Sequence, residues 1–191
     1  MIYSIGLNLS DILISVIKFY MNNIQKPKEG EYPNYFNKYL ALNSDQPYEV
    51  QIQTQIESCS SFFEAKGKAW ADKAYAAGKW TPKEVLGHVI DTERIFTFRA
   101  LCFARGETSP LPGFDQDPYV LNAQFGQVAI QDLLEDFKNQ RQALLSLIKT
   151  LPEESMTNLG LASGKPNSPR ALFWMIAGHF EHHIIILKER Y

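Results

Sequence analysis

Residues 81–104 read TPKEVLGHVIDTERIFTFRALCFA. Thr81 followed by Glu84 forms a capping box, and Pro82 takes the first helical position, where its missing N–H costs nothing. Val85, His88, Val89, Thr92, Phe96 and Arg99 recur along adjoining helical faces until Gly106 ends the run. This is a long helix with a buried side. Toward the N-terminus, Val50, Ile52, Ile56, Cys59, Phe62, Phe63 and Trp70 predict another helix from Pro47 to about Asp72, preceded by an extended arm, KPKEGEYPNYF, at residues 26–36. Toward the C-terminus, residues 105–126, RGETSPLPGFDQDPYVLNAQFG, are too long for a tight turn and suit a crossover that lays a third helix parallel to the second. Ile130, Leu133, Leu134, Phe137, Arg141, Leu144, Leu145 and Ile148 place that third helix over about 128–150, closed by Pro152. After a second loop, Ser168 and Pro169 open a fourth helix that runs to the end of the chain. No strand pattern competes. The expected fold is all-α, a four-helix bundle with a long crossover between helices 2 and 3.

Composition narrows the function classes. The 191 residues are 45% hydrophobic and 21% charged, ordinary for a globular chain. With 19 Lys and Arg against 21 Asp and Glu, the net charge of -2 offers no positive field for nucleic acid. Cys59 and Cys102 are far apart and lie in apolar helical segments, which suits free thiols and a cytoplasmic setting. Residues 1–20, MIYSIGLNLSDILISVIKFY, are interrupted by Asn8, Asp11 and Lys18 and read neither as a membrane span nor as a secretory signal. Met21 opens a more polar stretch, so residues 1–20 are expected to be a weakly packed or non-native extension, with one domain over 21–191.

Three of the four histidines fall within residues 179–183, HFEHH. Residues four apart on a helix lie about 40° apart in rotation, so His179 and His183 can aim at one point. His182 is turned away by about 100° from His183 and belongs at the pocket rim. His88, flanked by Val85, Leu86 and Val89, also points inward and wants a partner. Three imidazoles from two helices suit zinc, nickel or another first-row divalent ion and leave positions open for water or substrate. Asp91, Glu93 and Glu181 are the candidate carboxylates to hold the ring N–H groups. The competing reading is that each histidine is an ordinary core residue.

The segments KWTPKEVLGHVIDTERIFTFRALCFARGETSPLPGFDQDPYV (79–120) and SPRALFWMIAGHFEHHIIILKERY (168–191) resemble the DinB/YfiT-like family of metalloenzymes. The likeness runs from about Lys26 to Tyr191 and leaves residues 1–20 outside. It implies a four-helix bundle binding nickel or zinc through one histidine of the second helix, here His88, and a pair on the last, here His179 and His183. It also implies chemistry on a small molecule, with a homodimer common among such proteins and Tyr35, Phe36 and Tyr39 available for contact. The leading expectation is S-transfer from a low-molecular-weight thiol such as bacillithiol to an electrophile, with Arg94, Arg99, Arg105, Lys165 and Arg170 as possible partners for the thiol's carboxylates. The alternatives are a metal-dependent hydrolase assisted by Asp115 or Asp117, and a non-catalytic metal- or ligand-binding bundle.

Overall fold

The computed structural model describes residues 24–191; the expectation for residues 1–20 lies outside them. Four long helices carry the fold: α1 (Tyr48–Lys66), α2 (Pro82–Ala104), α3 (Ile130–Ile148) and α4 (Pro169–Arg190). The capping box at Thr81 is made in both directions, with Glu84 N donating to Thr81 Oγ1 and Thr81 N donating to Glu84 Oε2. Ser168 Oγ accepts from Ala171 N at the start of α4.

The helix expected to run from Pro47 to Asp72 breaks at Gly67, whose φ of +79° is open to a residue without a side chain. A single turn, Lys68–Ala71, follows it. The crossover after α2 holds a short helix, Gln116–Ala123, capped by Asp115. One sequence expectation is corrected: residues 160–167 form a small antiparallel hairpin, Gly160–Ala162 (β1) with Lys165–Asn167 (β2). Its turn places Ser163 and Gly164 at φ +53° and +69°, the paired left-handed geometry that suits the twist of a two-residue hairpin. Strands of three residues show too little alternation to be read from sequence. The crossover docks on this hairpin, with Leu111 N donating to Leu161 O and Ser163 N to Leu111 O.

Helices α2 and α3 run parallel, as the crossover requires. Lys83 at the start of α2 donates to the carbonyls of Gly126 and Val128 just before α3, and Glu93 meets Arg141 midway. Helix α1 runs alongside α4, with Tyr48 Oη on Phe173 O and Gln55 Nε2 on Ala177 O. The core has two apolar halves. One gathers Ile52, Phe96, Phe103, Leu144, Leu172 and Trp174, the other Phe63, Leu86, Ile90, Leu133, Phe137 and Leu187. Between them lies a polar layer to which all four helices contribute: Gln55, Glu93, Arg141 and, one step aside, His88 and His179, all buried. No helix among the described residues is long and apolar enough to cross a membrane.

Candidate metal centre

His88 sits two turns into α2, and His179 and His183 one turn apart midway along α4. Because α4 is the helix packed most closely along α2, the three rings meet where the apolar halves of the core join. Nε2 of His179 lies 3.3 Å from Nε2 of His88 and 3.0 Å from Nε2 of His183. The candidate ligand atoms of all three lie within 4.8 Å of one another. His88 and His179 are buried and His183 is half-buried.

Burial pushes the His88 imidazole down to about 4. Burial, reinforced by His88 and His182, takes His183 down to about 3. His179 is also held well below the ordinary histidine range, by burial first and then by its two neighbours. All three rings are therefore neutral at pH 7, the form that ligates metal. A neutral imidazole has one N–H, so three Nε2 atoms facing each other cannot all be satisfied by shared protons. A cation at their centre satisfies every lone pair. Nitrogens bound at about 2.0–2.1 Å to a tetrahedral ion stand about 3.3 Å apart, close to the separations seen here. The donor set fits zinc or a similar borderline ion.

The surroundings differ from the sequence expectation. Asp91 pairs with Arg94, Glu93 with Arg141, and Glu181 accepts from Gln55 Nε2, so none of these carboxylates touches a histidine ring. The group beside His88 is instead Thr92, whose Oγ1 lies 3.4 Å from Nδ1. Thr92 is one helical turn from His88, a spacing legible in sequence, but hydroxyls at that spacing are too common to single out. Trp80 tilts against the His88 ring at 5.0 Å. Tyr39, on a short turn (Asn37–Leu40), stands edge-on to His179 at 5.8 Å and to His182 at 5.0 Å. His182 thus lies beside the cluster, against Tyr39. Asp115 and Asp117 shape the start of the crossover helix, where Asp115 Oδ1 accepts from Asp117 N. Phe36 is buried in the core and Tyr39 half-buried, leaving Tyr35 as the exposed aromatic of the arm. Cys59 is buried and its thiol pushed up to about 12 by burial, as expected of an inert core residue.

Three inward imidazoles from two helices meet at the middle of a four-helix bundle, in an arrangement that could hold a metal ion. The chain belongs to the DinB superfamily, whose family model matches residues 51–187. No curated protein sequence matches it. Among solved structures it is similar to YfiT from Bacillus subtilis, described as "a probable metal-dependent hydrolase with an unusual four-helix bundle topology". That likeness has a TM-score of 0.64 at 16% identity and covers 86% of this chain and 90% of YfiT. At such identity the likeness is one of fold.

Proposed function

We propose that this chain is a metal-dependent enzyme acting on a small molecule, with His88, His179 and His183 holding one divalent transition-metal ion, zinc or nickel. The observation that carries the reading is the convergence of three neutral Nε2 atoms within 4.8 Å, with too few protons to satisfy one another. When bound, such an ion supplies Lewis acidity and lets water or a thiol act as a nucleophile near neutral pH. The protein's own part is to keep the rings neutral by burial and to hold His88 against Thr92. Trp80 and Tyr39 wall the cluster on two sides. Hydrolysis is the favoured reaction, supported by the description of YfiT as a probable metal-dependent hydrolase. S-transfer from a low-molecular-weight thiol such as bacillithiol would use the same ligands and differs in its need for that co-substrate. We also take the enzyme to be cytoplasmic.

The test is metal content by mass spectrometry on protein purified without a histidine tag. About one transition-metal ion per chain is expected, lost in His88→Ala, His179→Ala and His183→Ala and kept in His182→Ala. A wild-type protein that neither retains nor takes up an ion refutes the reading. With the ion loaded, turnover of ester, amide or phosphate panels without thiol identifies a hydrolase. Turnover of an electrophile only when thiol is added identifies a transferase.

A further inference from the structure

Residues 72–79, between the Lys68–Ala71 turn and α2, lie on the surface: all but Ala74 are exposed, and Gly78 takes a left-handed φ of +71°. Lys83 ties the start of this segment down through Asp72 at 2.6 Å. Its far end is Trp80, half-buried, whose ring tilts against the His88 imidazole at 5.0 Å. Trp80 makes a single hydrogen bond among the described residues, and the partner is remote in sequence: its carbonyl accepts from the hydroxyl of Tyr191. Tyr191 follows directly on α4, the helix that carries His179 and His183. Its own carbonyl oxygen accepts from Trp70 Nε1 at 3.2 Å, and its ring stands edge-on to Trp70 at 6.3 Å and to Tyr75 at 4.8 Å. The hydroxyl is thereby fixed in place. Burial, with Tyr75 and Glu84 nearby, pushes it up to about 12, so it keeps the proton it donates.

His88 needs the wall that Trp80 provides. A ligating histidine is commonly oriented by a hydrogen bond to its second ring nitrogen. For His88 that contact, between Thr92 Oγ1 and Nδ1, is 3.4 Å, long for a hydrogen bond. So weak a hold leaves the ring able to swing about its Cβ–Cγ bond and carry Nε2 away from His179. An indole against the ring face blocks that swing, provided the indole itself stays put. The exposed segment before Trp80 cannot ensure this; the bond from Tyr191 can.

We infer that Tyr191 is a positioning residue of the three-histidine centre: its hydroxyl holds Trp80 against the face of His88 and so keeps Nε2 of His88 aimed at Nε2 of His179. The inference rests on reading that centre as the metal site. Helix α4 then serves all three ligands, two through its own histidines and the third through the residue that follows its last turn.

The experiment uses the full chain, first free of metal and then titrated with zinc. Tyr191→Phe keeps the ring on Trp70 and Tyr75 and removes only the donor. In metal-free protein the ring C–H resonance of His88, identified by its absence from His88→Gln, feels the ring current of Trp80. Tyr191→Phe is expected to move that resonance toward its position in Trp80→Ala while Tm stays nearly unchanged. Zinc affinity should fall about tenfold, the low end for a group that supports a ligand. The double variant Tyr191→Phe/Trp80→Ala should bind no more weakly than Trp80→Ala alone, because the hydroxyl acts through the indole. An unmoved His88 resonance in Tyr191→Phe, or losses of affinity that add in the double variant, overturn the inference while leaving the metal centre standing. Should Trp80→Ala fail to fold, Tyr191→Phe decides alone: a moved resonance with weakened zinc binding supports the latch, and wild-type values for either refute it. A wild-type chain that takes up no ion overturns the metal reading and, with it, the role given to Tyr191.

Discussion

The histidine rings tie stability to pH at the scale of single residues. An unfolded histidine takes its proton near 6.5, but His88 in the fold does so near 4 and His183 near 3 because burial penalises the charged ring. Between those values the unfolded chain binds more protons than the native one, so stability is complete above about 6.5 and falls as the pH drops toward 4. Thermal melts of metal-free protein should therefore show a lower Tm at pH 5 than at pH 7.5. The difference should shrink in a His88→Gln/His183→Gln variant; an equal difference would place the acid sensitivity elsewhere. Arg141 makes a second prediction. It is fully buried, donates to Glu93 Oε2 at 3.0 Å and to Gln55, and lies over the Phe137 and Phe180 rings at 4.4 and 4.9 Å. Removing one member of such a pair strands the other's charge in the core, which costs about 3–5 kcal/mol. Arg141→Met should lose stability on that scale in urea unfolding, and adding Glu93→Gln should recover part of it. Additive losses would mean the pair is not coupled.

Among the elements, the contact between α4 and the Asn37–Leu40 turn decides where Tyr39 stands. Gly178 allows it: a Cβ there would collide with the Tyr39 carbonyl oxygen, a backbone atom that cannot rotate away. Asn43 fastens the same turn by donating to Trp174 O at 3.1 Å. Gly178→Ala exchanges a poor helix former for a good one, and propensity alone would stabilise α4 by about 1 kcal/mol. The expected outcome has the opposite sign, because the turn must lift off α4. Chemical denaturation should show a loss of stability, and Tyr39 resonances should move relative to wild type. A stabilised variant with Tyr39 in place would show that the turn gives way at little cost.

For the whole molecule, the polar layer between the two apolar halves of the core couples all four helices, since Gln55, Glu93, Arg141 and the α4 backbone at Ala177 bond in sequence from helix to helix. Unfolding should be a single transition, with tryptophan fluorescence from Trp70, Trp80 and Trp174 superimposing on far-UV circular dichroism. A ligand that binds only the native state stabilises by mass action, about 2.7 kcal/mol at a free concentration one hundred times its Kd. Loading zinc or nickel should raise Tm and chelation should reverse it, with neither effect in His179→Ala. Separate transitions for the two probes would show that the halves of the core melt independently.

Local chemistry explains how much of this was legible in the sequence. Helix boundaries at Thr81 and Ser168 could be read because caps and N-terminal prolines act within a single turn. The pairing of His179 with His183 follows from helical geometry alone. The break at Gly67, the hairpin at 160–167 and the crossover helix at 116–123 could not be read, since each is too short for its pattern to rise above composition. The amino-acid sequence by itself determined four long helices, their parallel crossover and two inward histidines on one of them. Only the tertiary structure decided that His88 meets that pair within hydrogen-bonding distance, that Asp91, Glu93 and Glu181 are committed to other partners, and that Arg99 is left buried without a counter-charge. The physical reason is that periodicity fixes which face of a helix a residue occupies, whereas its partner depends on the height and rotation at which other helices pack.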